Sequence, residues 1–304
     1  MFDHSLLSKN GFGGGMASAI GLRVKLATTI LAFLFLAVTQ GIAQLSSQAT
    51  EFPFQLREGL IWIQVSVPQC GKTLNFMLDS GAEVSVVDLR VAQSLGLKWG
   101  NLVSVRGVKS SVNGYWPEHL SAQLGDISLP KDFLAVNLSD LSKACKCGVD
   151  GLLGADFFKG RIVQIDFQKQ KIRLLKSANP GAHEESIPLQ VRSSGMLVKI
   201  QVNNGKAQKV RLDTGCASPL QWVSSKAPSE PYARQIAVGM TEVSIPLIRT
   251  SVRIGESEFT SVPTGLQDHQ IFAGEAGLVG TPLLSRFAVV TVDTLAKRLL
   301  LRRY

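Results

Sequence analysis

The feature of this 304-residue sequence that most constrains its fold is an internal repeat. Residues 79–81 (Asp-Ser-Gly) recur as residues 213–215 (Asp-Thr-Gly), and residues 151–154 (Gly-Leu-Leu-Gly) recur as residues 277–280 (Gly-Leu-Val-Gly). The two aspartates are 134 residues apart, and the last glycines of the second pair are 126 residues apart. Motifs that recur in the same order at such similar offsets indicate the duplication of one domain.

Both halves of the chain show the sequence pattern of β-strands. Residues 61–67 and 196–202 alternate between apolar and polar positions, as half-buried strands do. Residues 203–206 (Asn-Asn-Gly-Lys) predict a hairpin turn, because Asn and Gly tolerate a positive φ. A short helix is predicted over residues 89–95, just before Gly96. We therefore predict an all-β protein of two similar lobes, related by a pseudo-two-fold axis, with a cleft between them.

The N-terminal region has the layout of an export signal. Arg23 and Lys25 precede an apolar run over residues 26–38, and small residues follow up to Ala43. The run is shorter than the ~20 apolar residues of a membrane span. We expect export to the periplasm or the medium with cleavage after Ala43; retention of residues 26–43 as a membrane tether is the alternative.

The predicted organisation has five segments. These are the export signal (1–43), an N-terminal extension (44–58), a first lobe (59–175), a polar linker (176–194) and a second lobe (195–304).

The formal net charge is +9, and loss of residues 1–43 leaves +7, because three basic residues and one acidic residue are removed. The basic residues are scattered and no basic motif interleaved with aromatic residues is present, so we expect a solvated basic surface and no nucleic-acid partner. The cysteines are Cys70, Cys145, Cys147 and Cys216. In an oxidising compartment a disulfide from Cys70 to Cys145 or Cys147 is expected, since a bridge between the latter two would be strained.

The repeated aspartates carry the chemistry. A single Asp-Ser-Gly is usually an ordinary turn, but here each copy follows an apolar strand and precedes an apolar-apolar-Gly segment. Two carboxyl groups brought together across a two-fold axis share one proton, because they cannot both ionise easily. One can then act as a base on water while the other donates a proton to a carbonyl oxygen. The nucleophile is water, so no metal or other cofactor is expected.

Residues 78–82 (Leu-Asp-Ser-Gly-Ala) and 151–154 resemble the two signatures of the retropepsin-like aspartic peptidases, and the repeat within one chain resembles the pepsin-like two-lobed form. The resemblance covers roughly residues 60–175 and 196–301. It implies a monomeric pseudo-dimer that cleaves internal peptide bonds with Asp79 and Asp213 as the catalytic dyad. The polypeptide substrate is expected to bind as an extended strand in the cleft.

The resemblance also assigns supporting roles to residues around the dyad. Hydroxyl groups in the two loops are expected to hydrogen-bond across the lobe interface, and glycines are expected to permit the tight loops and to lie behind them. These supporting residues are Ser80, Gly81, Gly154, Thr214, Gly215 and Gly280.

The family's β-hairpin flap is expected over residues 103–116, with Gly107, Gly114 and Tyr115 available for a mobile tip. Packing of Tyr115 and its neighbour Trp116 in the core is the alternative. In the second lobe, residues 237–244 around Gly239 are a weaker flap candidate.

One position of the two turns departs from the family pattern. Cys216 stands where a small or hydroxyl residue is usual, and a thiol is a weak donor. With Ala82 at the matching position of the first lobe, both lobes lack a hydroxyl group there. Less stabilisation of the ionised carboxyl groups predicts a pH optimum less acidic than that of pepsin. Asp166 and Asp293, which open the closing strand of each lobe, are expected to be structural.

The alternative to a peptidase is a non-catalytic peptide-binding module on the same fold, or an envelope structural protein. The presence of both aspartates favours the enzyme.

Overall fold

The part of the chain described by the computed structural model is built mainly from β-strands. It comprises residues 50–68, 71–106, 111–224, 232–238 and 241–304. The predicted export signal, Cys70, Gly107 and Gly239 lie outside these residues.

The described strands fall into three sheets. In chain order they are β1 (Thr50–Pro53), β2 (Gln55–Arg57), β3 (Leu60–Val67), β4 (Lys72–Leu78), β5 (Val86–Asp88), β6 (Trp99–Arg106), β7 (Ser111–Pro117), β8 (Gln123–Leu124), β9 (Ile127–Ser128), β10 (Leu134–Val136), β11 (Gly151–Leu153), β12 (Ile162–Asp166), β13 (Lys171–Leu175), β14 (Glu184–Pro188), β15 (Gln190–Arg192), β16 (Gly195–Val202), β17 (Gln208–Asp213), β18 (Leu220–Val223), β19 (Tyr232–Val238), β20 (Thr241–Ile254), β21 (Ser257–Gln267), β22 (Gly277–Gly280), β23 (Val289–Asp293) and β24 (Arg298–Arg302).

The helices of the described residues are all short. They are α1 (Leu89–Ser94), α2 (Ser139–Ala144), α3 (Ala155–Phe158) and α4 (Thr281–Leu284). The predicted helix over residues 89–95 is confirmed as α1, which begins where the Asp88 carboxylate accepts a hydrogen bond from the Arg90 N–H. Within the described ranges, no helix is both long and apolar enough to span a membrane.

Each lobe has its own sheet, and the two sheets share one arrangement. The first-lobe sheet has ten strands in the order β6-β7-β10-β5-β11-β4-β3-β8-β9, with β2 paired to β3. The second-lobe sheet has eight strands in the order β15-β16-β17-β22-β18-β21-β20-β19. In each, the strand that leads to an aspartate lies parallel to the strand of the apolar-Gly motif, β4 beside β11 and β17 beside β22. The repeat in the sequence is therefore a repeat in the fold, and the all-β two-lobed prediction is confirmed.

A third sheet joins the lobes. Its six strands run in the order β1-β13-β12-β23-β24-β14, and its centre is the antiparallel pairing of β12 with β23, which places Ile162 opposite Asp293 and Asp166 opposite Val289. Its two edges come from segments outside the predicted lobes. β1 lies within the predicted N-terminal extension, and β14 lies within the predicted linker.

Two hydrophobic clusters fill the part of the chain that the structure describes. The larger runs through both lobes and includes Phe76 and Leu78 from β4 and Val210 and Leu212 from β17. Alternation along these strands places the apolar side chains in the core, as the sequence predicts. The smaller cluster lies in the first lobe, and half-buried side chains of β6 and β7 pack against it.

Asp166 and Asp293 anchor the hairpins of the joining sheet. Asp166 accepts hydrogen bonds from the Lys169 N–H (2.9 Å) and from Arg173 Nη1 (3.2 Å). Asp293 accepts the equivalent bonds from the Ala296 N–H (2.8 Å) and from Arg298 Nε (3.0 Å). Both aspartates are buried, which agrees with the structural role expected for them.

The predicted disulfide is wrong. Cys145, Cys147 and Cys216 are free thiols. Cys145 follows α2 and is buried in the smaller apolar cluster beside residues such as Leu141. Burial, together with the neighbouring Cys147, raises the pKa of the Cys145 thiol to about 11 and so disfavours the reactive thiolate.

Replacing Asp293 with Ala tests the hairpin anchor. We expect the free energy of unfolding in urea to fall by roughly 1–3 kcal/mol, because the Ala296 N–H and a largely buried guanidinium lose their acceptor on a buried carboxylate. Asp140→Ala, which removes an exposed pair with Lys143, is the matched control and should cost less than about 1 kcal/mol. Equal losses for the two variants would contradict this role.

Candidate active site

The two aspartates stand at equivalent places at the ends of strands. The Asp79 N–H donates to the Leu153 carbonyl (2.8 Å) directly after β4, and Asp213 is the last residue of β17, paired with Gly280. Each then begins the same tight turn, in which the N–H of Ala82 or Cys216 donates to the carbonyl of its aspartate (3.1 and 3.2 Å). The symmetry of the lobes brings these two turns together.

Each carboxyl group lies over the glycine of the opposite turn. A Cβ added to Gly81 would stand 2.5 Å from Asp213 Cγ, and one added to Gly215 would stand 2.4 Å from Asp79 Cγ. Neither distance is compatible with a side chain, so both positions require glycine. These close approaches across the lobe interface bring Asp79 and Asp213 together as one pair.

The two carboxyl groups have different surroundings. Asp79 Oδ1 accepts the N–H groups of Gly81 (3.1 Å) and Ala82 (3.2 Å), whereas Asp213 Oδ1 accepts that of Gly215 (3.0 Å). Burial raises the pKa of Asp79, against the effect of its two backbone donors. Burial and the charge of Asp79 raise the pKa of Asp213 well above its ordinary value. The backbone donors thus favour the negative charge on Asp79 over Asp213, while the titration belongs to the pair, which shares one proton.

Four buried hydrogen bonds lock the turns to each other. Ser80 Oγ donates to the Leu212 carbonyl (2.8 Å) and accepts the Thr214 N–H (3.0 Å). Thr214 Oγ1 donates to the Leu78 carbonyl (2.8 Å) and accepts the Ser80 N–H (2.9 Å). Ser80 and Thr214 therefore make the cross-lobe contacts that the resemblance implied.

Gly154 and Gly280 lie behind the turns, each at the start of a short helix. A Cβ on Gly154 would stand 2.5 Å from the backbone carbon of Val84, and one on Gly280 would stand 2.0 Å from the Ser218 carbonyl oxygen. The residue after each glycine donates its N–H to the adjacent turn, to Ala82 or to Cys216. The backbone approaches too closely here for any side chain.

Cys216 does not bond to the dyad. Its thiol donates to the Ser218 carbonyl (3.5 Å) and accepts from Gln221 Nε2 (3.4 Å). Burial and the neighbouring carboxyl groups of Asp213 and Asp79 raise the pKa of this thiol, which remains protonated. Since Ala82 has no donor side chain, neither carboxyl group receives a side-chain hydrogen bond from this position.

The segment where the flap is predicted forms a hairpin, but Gly114 and Tyr115 do not lie at its tip. Residues 103–116 fall on the β6–β7 hairpin, with residues 107–110 at its turn outside the described part. Gly114 lies in the body of β7, paired with Val103 on one side and Val136 on the other, and is buried. Tyr115 is half-buried against the ring of Trp99 (centroids 5.6 Å apart). The reason is that β7 is flanked by two strands there, so these residues cannot form a tip.

Arg211 also belongs to this site, although the sequence patterns did not predict it. It is buried beside the dyad, although it lies on the apolar strand that leads to Asp213. Its position could have indicated a role, because a charged residue at a core position of a strand requires a buried partner. Among the described residues, no group of three or more His, Cys, Asp or Glu side chains is placed to hold a metal ion.

Comparisons with known proteins agree with this geometry. Residues 63–157 match the family described as aspartyl protease. The aspartic proteinase from Irpex lacteus has a similar structure, with a TM-score of 0.55 and 15% sequence identity over 84% of this chain and 97% of that chain. A search of curated proteins gives no match. The resemblance to the aspartic peptidases seen in the sequence thus has a counterpart in both comparisons, since residues 63–157 match the family model and the chain has the two-lobed aspartic proteinase fold.

Removing the locking hydroxyl groups tests the lobe interface. Ser80→Ala and Thr214→Val should each lower the free energy of unfolding by about 1–3 kcal/mol, because each leaves a buried N–H and a buried carbonyl without a partner. Ser94→Ala, which loses only an exposed bond to the Val91 carbonyl, is the control. Unfolding in urea, followed by circular dichroism, measures all three; unchanged stability in both site variants would refute the lock.

Proposed function

We propose that this chain, with its aspartyl-protease first lobe and two-lobed aspartic proteinase fold, is an endopeptidase that hydrolyses peptide bonds with water. The observation that carries the proposal is the close pair of Asp79, which is buried, and Asp213, which is half-buried, each with its carboxyl group over the glycine of the opposite turn. Two carboxyl groups with unequal proton affinity supply the base and the acid that this reaction needs.

The division of roles follows from the surroundings of the pair. The carboxylate of Asp79 takes a proton from a water molecule as its oxygen bonds to the substrate carbonyl carbon. Asp213 donates its proton to the carbonyl oxygen, which gives a neutral tetrahedral intermediate. When the C–N bond breaks, the proton on Asp79 passes to the departing nitrogen, and Asp213 recovers its proton from the hydroxyl group.

The substrate proposed is a polypeptide in extended form. Half-buried apolar side chains from the turn after Asp79, from the β6–β7 hairpin and from the turn after Asp213 all pack against the smaller hydrophobic cluster. They are Val84, Val103, Val105, Val112, Trp116 and Ala217. Such a wall, contributed by both lobes, supports a preference for apolar residues beside the cleaved bond. The signal pattern in residues 1–43 supports export, so other exported proteins are the proposed targets.

The first test is cleavage of a diverse peptide library by residues 44–304. The wild type should cleave, whereas Asp79→Asn and Asp213→Asn should each lose at least about a thousandfold in kcat/KM, because either change removes the shared-proton pair. Asp166→Asn, at a buried aspartate of the joining sheet, is the matched control and should retain activity when folded. Cleavage at the wild-type rate by either dyad variant would overturn the proposal. Binding of extended peptides without cleavage would favour the binding module.

The pH dependence provides a separate test. Activity requires exactly one proton on the pair, so it falls at low pH when both groups are protonated and at high pH when both are ionised. Burial raises the pKa of both groups, which moves both limbs of the profile upward. We expect an optimum above about pH 4 in kcat/KM measured from pH 3 to 8. An optimum well below this value would contradict the raised pKa values.

A further inference from the structure

The largest fully buried side chain of the described residues is a charged one, that of Arg211. Its guanidinium forms a two-point contact with Glu275, from Nε to Oε2 at 2.9 Å and from Nη2 to Oε1 at 2.7 Å. The side chains of Arg211 and Glu275 are 2% and 4% exposed. The ring of Phe272 lies 3.5 Å from the guanidinium carbon and covers it.

The remaining nitrogen of Arg211 reaches the opposite lobe. Nη1 donates to the Gly81 carbonyl (3.3 Å) and also to the Ser194 carbonyl. Gly81 belongs to the turn of Asp79, and its own N–H donates to the Asp79 carboxylate. Arg211 of the second lobe therefore hydrogen-bonds to Gly81, the first-lobe residue whose N–H donates to Asp79.

The segment that holds Glu275 is itself fixed to the strand of Arg211. The Glu275 N–H donates to the Phe272 carbonyl (3.1 Å), and the Ala276 N–H donates to the Lys209 carbonyl of β17 (2.8 Å). Arg211, its counter-ion and its aromatic cover thus form one unit beside the dyad.

This unit exists in one lobe only. Arg211 pairs with Leu278 in the same way as Met77 pairs with Leu152, so Met77 is the equivalent residue of the first lobe. Met77 is buried in the smaller apolar cluster. An apolar side chain therefore suits this position, and replacing a buried ion pair by apolar residues is often neutral or stabilising. Packing alone does not account for the arginine.

The charge of Arg211 acts on the dyad. It lowers the pKa of both Asp79 and Asp213, against the effect of burial. Among the residues that the structure describes, the titratable groups that face the pair are Arg211 on β17 and the thiol of Cys216 in the following turn, with Glu275 behind Arg211. Since the thiol stays neutral, Arg211 is the cation of this site, and Glu275 sets how much of its charge the dyad experiences.

We propose that Arg211, held by Glu275, is a positioning residue that fixes the Gly81 turn from the opposite lobe and maintains the dyad in its singly ionised form. This proposal rests on the proposed function for its effect on catalysis. Its effect on the protonation of the pair does not depend on cleavage.

Two changes with opposite expected effects test the proposal. In Arg211→Met with Glu275→Leu, the cation and its partner are both removed, so both limbs of the pH profile should move to higher pH by at least about half a unit. We also expect kcat to fall about tenfold with little change in KM, because the Gly81 turn loses its anchor. Glu275→Gln leaves the arginine charge without its counter-ion, so both limbs should move to lower pH.

Arg298→Met is the matched control, because it removes an arginine that pairs with a buried aspartate in the joining sheet. It should leave the pH profile unchanged, and thermal unfolding checks that every variant is folded. If the double variant does not fold, the pH profile of Glu275→Gln tests the proposal by itself. Folded variants with the pH profile of the wild type would overturn the proposal.

A readout that needs no cleavage separates this inference from the proposed function. The carboxyl carbons of ¹³C-labelled aspartate report the titration of the dyad by NMR. Titrations that shift in the two expected directions in an inactive protein would support the role of Arg211 while the peptidase proposal fails. Active protein with unshifted titrations would overturn the role of Arg211 and leave the peptidase proposal standing.

Discussion

The candidate site depends above all on the reciprocal hydrogen bonds of Ser80 and Thr214. Each hydroxyl group donates to a carbonyl and accepts an N–H across the lobe interface, so neither turn can shift without leaving buried polar groups of the other unpaired. This fixes Gly81 under Asp213 and Gly215 under Asp79. The close approach of the two carboxyl groups, and hence their shared proton, is a consequence of that lock.

The sheet between the lobes extends this constraint to the rest of the chain. The β12–β23 pairing joins the lobes through backbone hydrogen bonds, and the strands β1 and β14 at its edges bring segments from outside the predicted lobes into the same layer. The backbone is thus nearly symmetric about the dyad, while the side chains are not. Arg211 stands opposite Met77, and Asp79 accepts one more backbone N–H than Asp213. The two aspartates of the dyad therefore differ in proton affinity, although they are the same residue type at equivalent backbone positions.

Local patterns predicted much of this arrangement. The alternation in residues 61–67 and 196–202 corresponds to β3 and β16, and the helix before Gly96 forms as α1. The expectations that failed all concerned which strands and side chains would be neighbours. Gly114 was expected near a tip because glycine favours turns, but it is flanked by β6 and β10. Cys145 was expected in a disulfide because of its compartment, but it is packed in an apolar cluster.

The sequence by itself determined that the chain has two similar lobes and that each contributes one aspartate from a glycine-containing turn. This was possible because a repeat and a strand-to-turn transition depend only on the order of the residues and on the conformational preferences of short segments. Only the tertiary structure decided how many backbone N–H groups each carboxyl group accepts, which residue binds each hydroxyl group, and that Arg211 meets Glu275, 64 residues away, beside the dyad. Those outcomes depend on burial and on contacts between distant segments, and these arise only when the sheets are paired in register and packed.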